Sequence, residues 1–160
     1  MTFEDLYRAH MPDVRRFALY LTGDPAETDD IVSETFVQAW AADAPLRARS
    51  LRAYLLSIAR NLHRQRHRRQ RRFALWSASP EATADPAPAM ERTLEARDDL
   101  DRTMRDLRAL PEASRAALLM RAFHGLGYDE VGEALGISEG AAKVKVHRAR
   151  KMLEARRDMT

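Results

Sequence analysis

Arginine and lysine are concentrated in two separate segments of this 160-residue chain. Residues 47–72 contain ten arginines and no acidic residue, and residues 143–151 contain a second basic run. Acidic residues collect mainly in 24–34 and 91–106. Two basic segments separated by acidic ones predict two contacts with a polyanion, and nucleic acid is favoured over a membrane surface. Either segment taken alone could equally be a solvated helix face.

The sequence offers little for catalysis. It shows no nucleophile paired with a base, no glycine-rich phosphate loop and no constellation of paired carboxylates, so we expect no enzyme and no cofactor. The absence of cysteine excludes disulfides and thiolate zinc sites. His63 and His67 are four residues apart and could bind a metal. Because arginines crowd the pair and no third ligand is evident, we predict instead that it faces DNA or solvent.

The composition predicts a soluble protein. Apolar residues make up 45% and aromatics 7% of the chain, so a core would consist mainly of aliphatic side chains. The polar residues that follow the first methionine do not resemble a signal peptide. No apolar stretch approaches the roughly 20 residues that span a bilayer. We therefore expect a cytoplasmic protein without membrane insertion.

Helical periodicity runs through the first 73 residues, and no useful strand-like alternation occurs. Thr2 and Asp5 form a potential capping box, Pro12 could kink or break the first helix, and Asp24-Pro25 should start the second. The second helix has a predicted buried stripe of Ile31, Val32, Phe36 and Trp40. Ser50 should cap a long third helix whose apolar positions are Leu51, Tyr54, Leu55, Ile58 and Leu62.

A segment rich in proline, serine and alanine interrupts this pattern. We interpret residues 74–92 as a flexible linker between one small helical domain at 1–73 and another at 93–160. The predicted fold class is thus all-α. Helical pattern resumes near Met90, and Leu110-Pro111 should start a helix with inward positions Leu118, Leu119, Met120 and Phe123.

Residues 128–156 predict a helix-turn-helix. A short helix at 128–135 is followed by a turn opened by Gly136, and Ser138 caps a second helix that ends at about Arg156. The N-terminal half of the second helix should enter the major groove. Its basic residues would then meet phosphates or base edges: Lys143, Lys145, His147, Arg148 and Arg150. An ordinary helical hairpin with a solvated basic face is the alternative.

Four segments, in this order, resemble extracytoplasmic-function sigma factors of the sigma-70 family. They are Asp29-Asp-Ile-Val-Ser-Glu-Thr-Phe-Val-Gln-Ala-Trp40, Ser50-Leu-Arg-Ala-Tyr-Leu-Leu-Ser-Ile-Ala-Arg-Asn-Leu62, Leu110-Pro-Glu-Ala-Ser-Arg-Ala-Ala-Leu118 and Gly140-Ala-Ala-Lys-Val-Lys-Val-His-Arg-Ala-Arg150. The order makes the resemblance specific. Ser33 and Gln65 depart from the family pattern, which usually has Gln and Asp there.

The resemblance implies an alternative sigma factor that binds core RNA polymerase and directs promoter-specific initiation. Residues 1–73 would be sigma region 2, which docks on the largest polymerase subunit through Asp30, Glu34, Val37 and Gln38. Contacts to the −10 element would come from Arg49, Arg52, Arg60, Asn61 and Arg64. Residues 93–160 would be region 4, which sits on the second-largest subunit and reads the −35 element through Lys143, Lys145, His147, Arg148 and Arg150. Members of the family are often held inactive by an anti-sigma factor that clamps between the domains.

The strongest rival is a conventional helix-turn-helix regulator, which would bind DNA without polymerase and often as a dimer. A response regulator is excluded more firmly, because its receiver domain would need alternating strands and helices. An interaction module that mimics a sigma factor would not need the basic second helix of the helix-turn-helix.

Overall fold

In a computed structural model of the protein, the described residues are 2–43, 50–77 and 95–159, and these ranges contain helices and no strand. This confirms the predicted all-α class. The helices of the described ranges are α1 (Phe3–Thr22), α2 (Pro25–Ala41), α3 (Leu51–Ser77), α4 (Glu95–Arg108), α5 (Glu112–Leu118), α6 (Tyr128–Leu135) and α7 (Glu139–Asp158). A π-helical turn over Leu119–Phe123 continues α5.

The predicted capping residues start the N-terminal helices. The Thr2 hydroxyl accepts a hydrogen bond from the Asp5 backbone, and the Asp5 carboxylate accepts one from Thr2, which completes the capping box. Asp24 caps α2 with Pro25 in its first turn. The Ser50 hydroxyl accepts a hydrogen bond from the Ala53 amide at the start of α3. Helix α1 continues through Pro12, so that proline does not break it.

Helix α3 is longer than predicted. It ends at Ser77, four residues beyond the predicted domain boundary at 73, so the beginning of the expected linker is helical. The remainder of that linker, residues 78–92, lies outside the described residues, as does Leu94.

The three helices α1, α2 and α3 form an N-terminal bundle, and α4 to α7 form a C-terminal bundle. Helix α1 also packs against α4, α5 and the π-helical turn, while α3 packs against α6. The buried side chains of both bundles therefore form one continuous apolar cluster, which runs from Leu6 and Phe17 to Val131 and Val146. Burial of this shared surface holds the bundles in a closed arrangement.

Two aromatic residues expected in the core lie at the surface. Trp40 is 42% exposed and Phe123 is 46% exposed. Trp40 lies at the last turn of α2, where its ring meets Phe3 edge to face with the centroids 5.9 Å apart. Phe123 stacks on Tyr20 of the other bundle at 5.5 Å. Both rings cover neighbouring aromatics instead of filling the interior.

Among the described residues, no helix has both the length and the apolar character needed to cross a membrane.

Candidate nucleic-acid interface

The turn between α6 and α7 is a Schellman motif. Gly136 has a φ of 68°, in the left-handed region, and the Ile137 amide donates to the Gly132 carbonyl at 2.9 Å. Gly132 was not singled out from the sequence. A Cβ at this position would lie 2.8 Å from the Ile137 carbonyl oxygen, so only glycine lets the two helices approach this closely.

Helix α7 turns its small residues inward and its basic residues outward. Ser138 caps the helix by accepting from the Ala141 amide at 3.1 Å. Ala142, Val146 and Ala149 are buried at helical spacing. The predicted basic residues Lys143, His147, Arg148 and Arg150 are exposed, and Lys145 is half-buried. The helix therefore presents a continuous basic surface to solvent, which we call the α7 surface.

The residues predicted to contact the −10 element are divided between solvent and the contact between the bundles. Asn61 and Arg64 are exposed. Arg60 is 5% exposed, and its Nε and Nη2 atoms each donate to the Glu112 carboxylate of α5 at 2.9 Å. The half-exposed Arg52 donates to the His124 carbonyl at 2.9 Å and lies 3.6 Å from the Asp13 carboxylate. Arg49 lies outside the described residues.

The prediction that His63 faces DNA or solvent is wrong. Its side chain is 2% exposed, and Nδ1 lies 2.9 Å from Oε1 of Glu27 on α2. His67 is half-buried, with its ring 4.3 Å from that of His63. Glu27 is the third potential metal ligand that the sequence did not reveal, because it precedes His63 by 36 positions.

The outer face of α2 carries the residues predicted to contact polymerase. Asp30 is exposed and lies 3.2 Å from the Arg66 guanidinium of α3. Glu34 and Gln38 are exposed and are joined by a 3.4 Å hydrogen bond. Val37 is 60% exposed, and Trp40 lies one turn further along the helix. The structure thus brings all four predicted residues, with Trp40, onto one surface, which we call the α2 surface.

His124 lies buried between the two bundles. It is 4% exposed, its ring meets Phe17 edge to face at 5.8 Å, and its Nε2 has no hydrogen-bond partner among the described residues. Burial lowers the pKa of His124 below its ordinary value, and Asp13 only partly opposes this shift. The nearby guanidinium groups of Arg52 and Arg16 lower it further.

Other contacts between the bundles also escaped sequence reasoning. Arg115 of α5 donates to the Leu21 carbonyl of α1 and to the Leu110 carbonyl. No local sequence motif marks the residues that join the bundles, namely Glu112, Arg115 and His124. Their partners in the other bundle lie 52 to 111 positions away along the chain.

Two family models match most of the chain. Residues 6–73 match Sigma-70 region 2, and residues 101–153 match Sigma-70, region 4. The ECF RNA polymerase sigma factor SigL of Mycobacterium tuberculosis is 33% identical over 148 residues, which are 90% of this chain and 82% of that protein. SigE of Mycolicibacterium smegmatis is 30% identical over 156 residues; they are 95% of this chain but 60% of that longer protein.

Solved structures of sigma factors are similar to this chain over nearly its whole length. The sigma factor RpoE in complex with the anti-sigma factor NepR from Bartonella quintana has a TM-score of 0.74 and 26% identity, over 96% of this chain and 94% of that chain. CnrH in complex with the cytosolic domain of CnrY has a TM-score of 0.70 and 26% identity, over 98% of this chain and 88% of that one.

The chain belongs to the sigma-70 family, in its extracytoplasmic-function group. It is an alternative sigma factor that directs transcription initiation, and it is not an enzyme. A conventional regulator that binds DNA without polymerase does not account for the region 2 match.

Proposed function

We propose that the α2 surface binds the largest subunit of core RNA polymerase. The observation that carries this proposal is the exposure of Val37 and Trp40 beside the carboxylates of Asp30 and Glu34. Exposed apolar and aromatic side chains with a charged rim are typical of protein interfaces, and tryptophan is often an energetic hot spot. Phe3 supports the Trp40 ring from α1, so the anchor is held in place before binding.

The two tryptophans of the chain allow a matched test. Trp40→Ala should weaken binding to core polymerase about thirtyfold, as expected for a hot spot of about 2 kcal/mol. Trp76→Ala removes an 89% exposed tryptophan from the end of α3 and should leave affinity unchanged. Fluorescence-detected titration of labelled protein with core polymerase measures both. Equal affinities for the two variants would contradict the assignment.

The acidic rim should contribute mainly to the rate of association. Asp30→Asn combined with Glu34→Gln should slow association and flatten its dependence on salt, because long-range attraction is lost. The charge-matched control is Asp99→Asn with Glu154→Gln, two exposed residues outside the α2 surface. An association rate equal to that of the control would exclude these carboxylates from the interface.

We further propose that α3 contacts the −10 element once the bundles separate. Arg52, Asn61 and Arg64 are accessible or partly accessible, and a basic groove suits single-stranded DNA. Arg60 joins them only when its ion pair with Glu112 opens. Arg49 completes the predicted set. DNA contact by Arg60 and the closed arrangement therefore exclude one another.

For the −35 element we propose the α7 surface, with Lys143, Lys145, His147, Arg148 and Arg150 as contacts. The docking of region 4 on the second-largest polymerase subunit is part of the same proposal. Exposure of the basic residues around a glycine-dependent turn supports it. Because the protein would act by binding promoter DNA together with RNA polymerase, we propose a cytoplasmic location for it.

We also propose an anti-sigma factor as a partner. Among the similar solved structures, RpoE is in complex with the anti-sigma factor NepR, and CnrH is in complex with the cytosolic domain of CnrY. The fold of this chain matches them over nearly its whole length. Its own closed arrangement buries Arg60 and would keep it away from DNA. A partner that binds both bundles would stabilise that arrangement by mass action.

A further inference from the structure

A cavity lies between α3 and the C-terminal bundle. Its volume is about 380 Å³, within the range of small-molecule sites. Both bundles contribute to its lining: Thr22, His63, Arg64, His67, Arg68 and Arg71 from one, and Arg108, Glu112 and Arg115 from the other. The cavity therefore exists only while the bundles are closed.

The lining of this cavity is strongly cationic. It contains five arginines and a single carboxylate, that of Glu112, which already accepts two hydrogen bonds from Arg60. Arg64, Arg68 and Arg71 lie at i, i+4 and i+7 on one face of α3. Within the described part of the chain, these three side chains form no ion pair. A cleft lined by one sign of charge concentrates ions of the opposite sign.

A metal ion is the less suitable occupant. The potential ligand atoms of Glu27, His63 and His67 lie within 4.8 Å of one another, which is a reasonable spacing for a cation. However, the arginines of the same cavity repel a divalent cation, and Glu27 already contacts His63. Double-stranded DNA is too wide for a cavity of this size, which leaves a compact anion.

We propose that this cavity binds a small polyanion that carries two or more phosphate groups. Arginine is suited to phosphate because its planar guanidinium donates two parallel hydrogen bonds. Arg64, Arg68 and Arg71 would hold one end of the ligand, and Arg108 the other. Such a ligand bridges the bundles, favours the closed arrangement and withholds Arg60 from DNA; this last consequence rests on the function proposed for α3.

The test is calorimetric titration of the full chain with sodium tripolyphosphate, at constant ionic strength and with a chelator present. The expected result is saturable binding with one site per chain. Arg68→Ala should weaken it about tenfold, the effect of losing one charged hydrogen-bond partner. Arg69→Ala removes the same charge from an exposed position of α3 outside the cavity, and should leave affinity unchanged.

Three outcomes would overturn the proposal. They are the absence of saturable binding, equal weakening by Arg68→Ala and Arg69→Ala, and saturable binding of Zn²⁺ in chelator-free buffer by a protein that does not bind tripolyphosphate. The second outcome would mean only diffuse attraction to a basic helix, and the third a cation site at Glu27, His63 and His67. None of these measurements involves polymerase or promoter DNA, so they are independent of the proposed function.

The distance between the two bundles supplies a second measurement. The chain has no native cysteine, so Ala9→Cys in α1 and Ala155→Cys in α7 accept a unique pair of spin labels at exposed positions. Tripolyphosphate should narrow the distance distribution between them and increase its short component. In the Arg68→Ala background the same concentration should have a much smaller effect. A distribution that saturating tripolyphosphate leaves unchanged would contradict the bridging role.

Discussion

The two basic helices of this sigma factor present their charges differently. Helix α7 points its predicted −35 residues to solvent, with only Lys145 half-buried. Helix α3 directs Arg60 into the contact between the bundles, where it meets Glu112, and ties Arg52 to the His124 carbonyl. The closed arrangement therefore leaves one predicted DNA surface open and withholds part of the other.

This difference has a physical cause. An arginine removed from water is stable only with a partner, and Glu112 provides two charge-assisted hydrogen bonds to Arg60. Among the described residues, no ion pair joins a carboxylate to one of the predicted −35 residues of α7; the ion pair between Arg156 and Asp106 lies further along that helix. Opening of the bundles should consequently change DNA contacts by α3 and leave those by α7 unaltered.

The largest effect is expected from Glu112→Gln. A neutral amide leaves the buried Arg60 charge without its counter-ion, and the closed arrangement should lose about 3 kcal/mol. Spin labels on the Ala9→Cys, Ala155→Cys protein should show a broad distribution that extends to long distances. Glu133→Gln removes an exposed carboxylate from α6 and is the matched control. Identical distributions for both variants would show that the ion pair does not hold the bundles together.

Gly132→Ala should disturb α7 and leave α3 intact. The added Cβ would lie 2.8 Å from the Ile137 carbonyl oxygen. This oxygen belongs to the backbone, so it cannot move away as the end of a flexible side chain could. We expect a loss of about 1–3 kcal/mol in unfolding free energy, the usual effect of overpacking. Gly140→Ala, where a Cβ meets nothing within 4 Å, serves as the control in urea titrations. Equal stability of the two variants would contradict the close approach of α6 and α7.

Sequence reasoning found the parts that depend on neighbours along the chain. The caps at Thr2, Asp24 and Ser138 and the turn at Gly136 follow from local hydrogen bonding, and the structure has each of them. Periodicity alone placed Trp40 in the core, because it cannot tell the end of an apolar stripe from its buried middle. The helix beyond residue 73 was missed because Leu75 and Trp76 are exposed and do not continue the apolar period of α3.

Contacts between the bundles could not be predicted in this way. Glu112 is an ordinary helix-starting acid in the sequence, and nothing near it indicates Arg60 as its partner. His63 was expected to face DNA or solvent because the surrounding arginines suggested an exposed helix, whereas Glu27 of α2 covers it. Long-range pairs of this kind depend on how the helices pack, and packing is determined by the whole apolar cluster.

A smaller effect is expected from Lys145→Ala on the α7 surface. Loss of one phosphate contact should lower promoter affinity and reduce the slope of log affinity against log salt by about one. Because α7 is exposed in the closed arrangement, the change in slope should be the same with and without Glu112→Gln. Lys151→Ala, beyond the predicted contacts, is the charge-matched control. A slope that matches the control would remove Lys145 from the interface.

The smallest effect concerns pH and the buried His124. Because burial lowers its pKa in the closed arrangement, the open state binds a proton first when the pH falls below about 6.5. Closure is therefore most stable above that pH and weakens as the pH falls toward the depressed pKa. The ring proton of His124 should titrate below 6.5 by NMR, and Glu112→Gln should move that titration upward as the bundles open and water reaches the ring. A pKa of 6.5 or above for His124 in the unaltered protein would contradict this prediction, because it would mean that water reaches the ring. The ion pair of Arg60 and Glu112 would then hold the bundles together without a buried contact around His124.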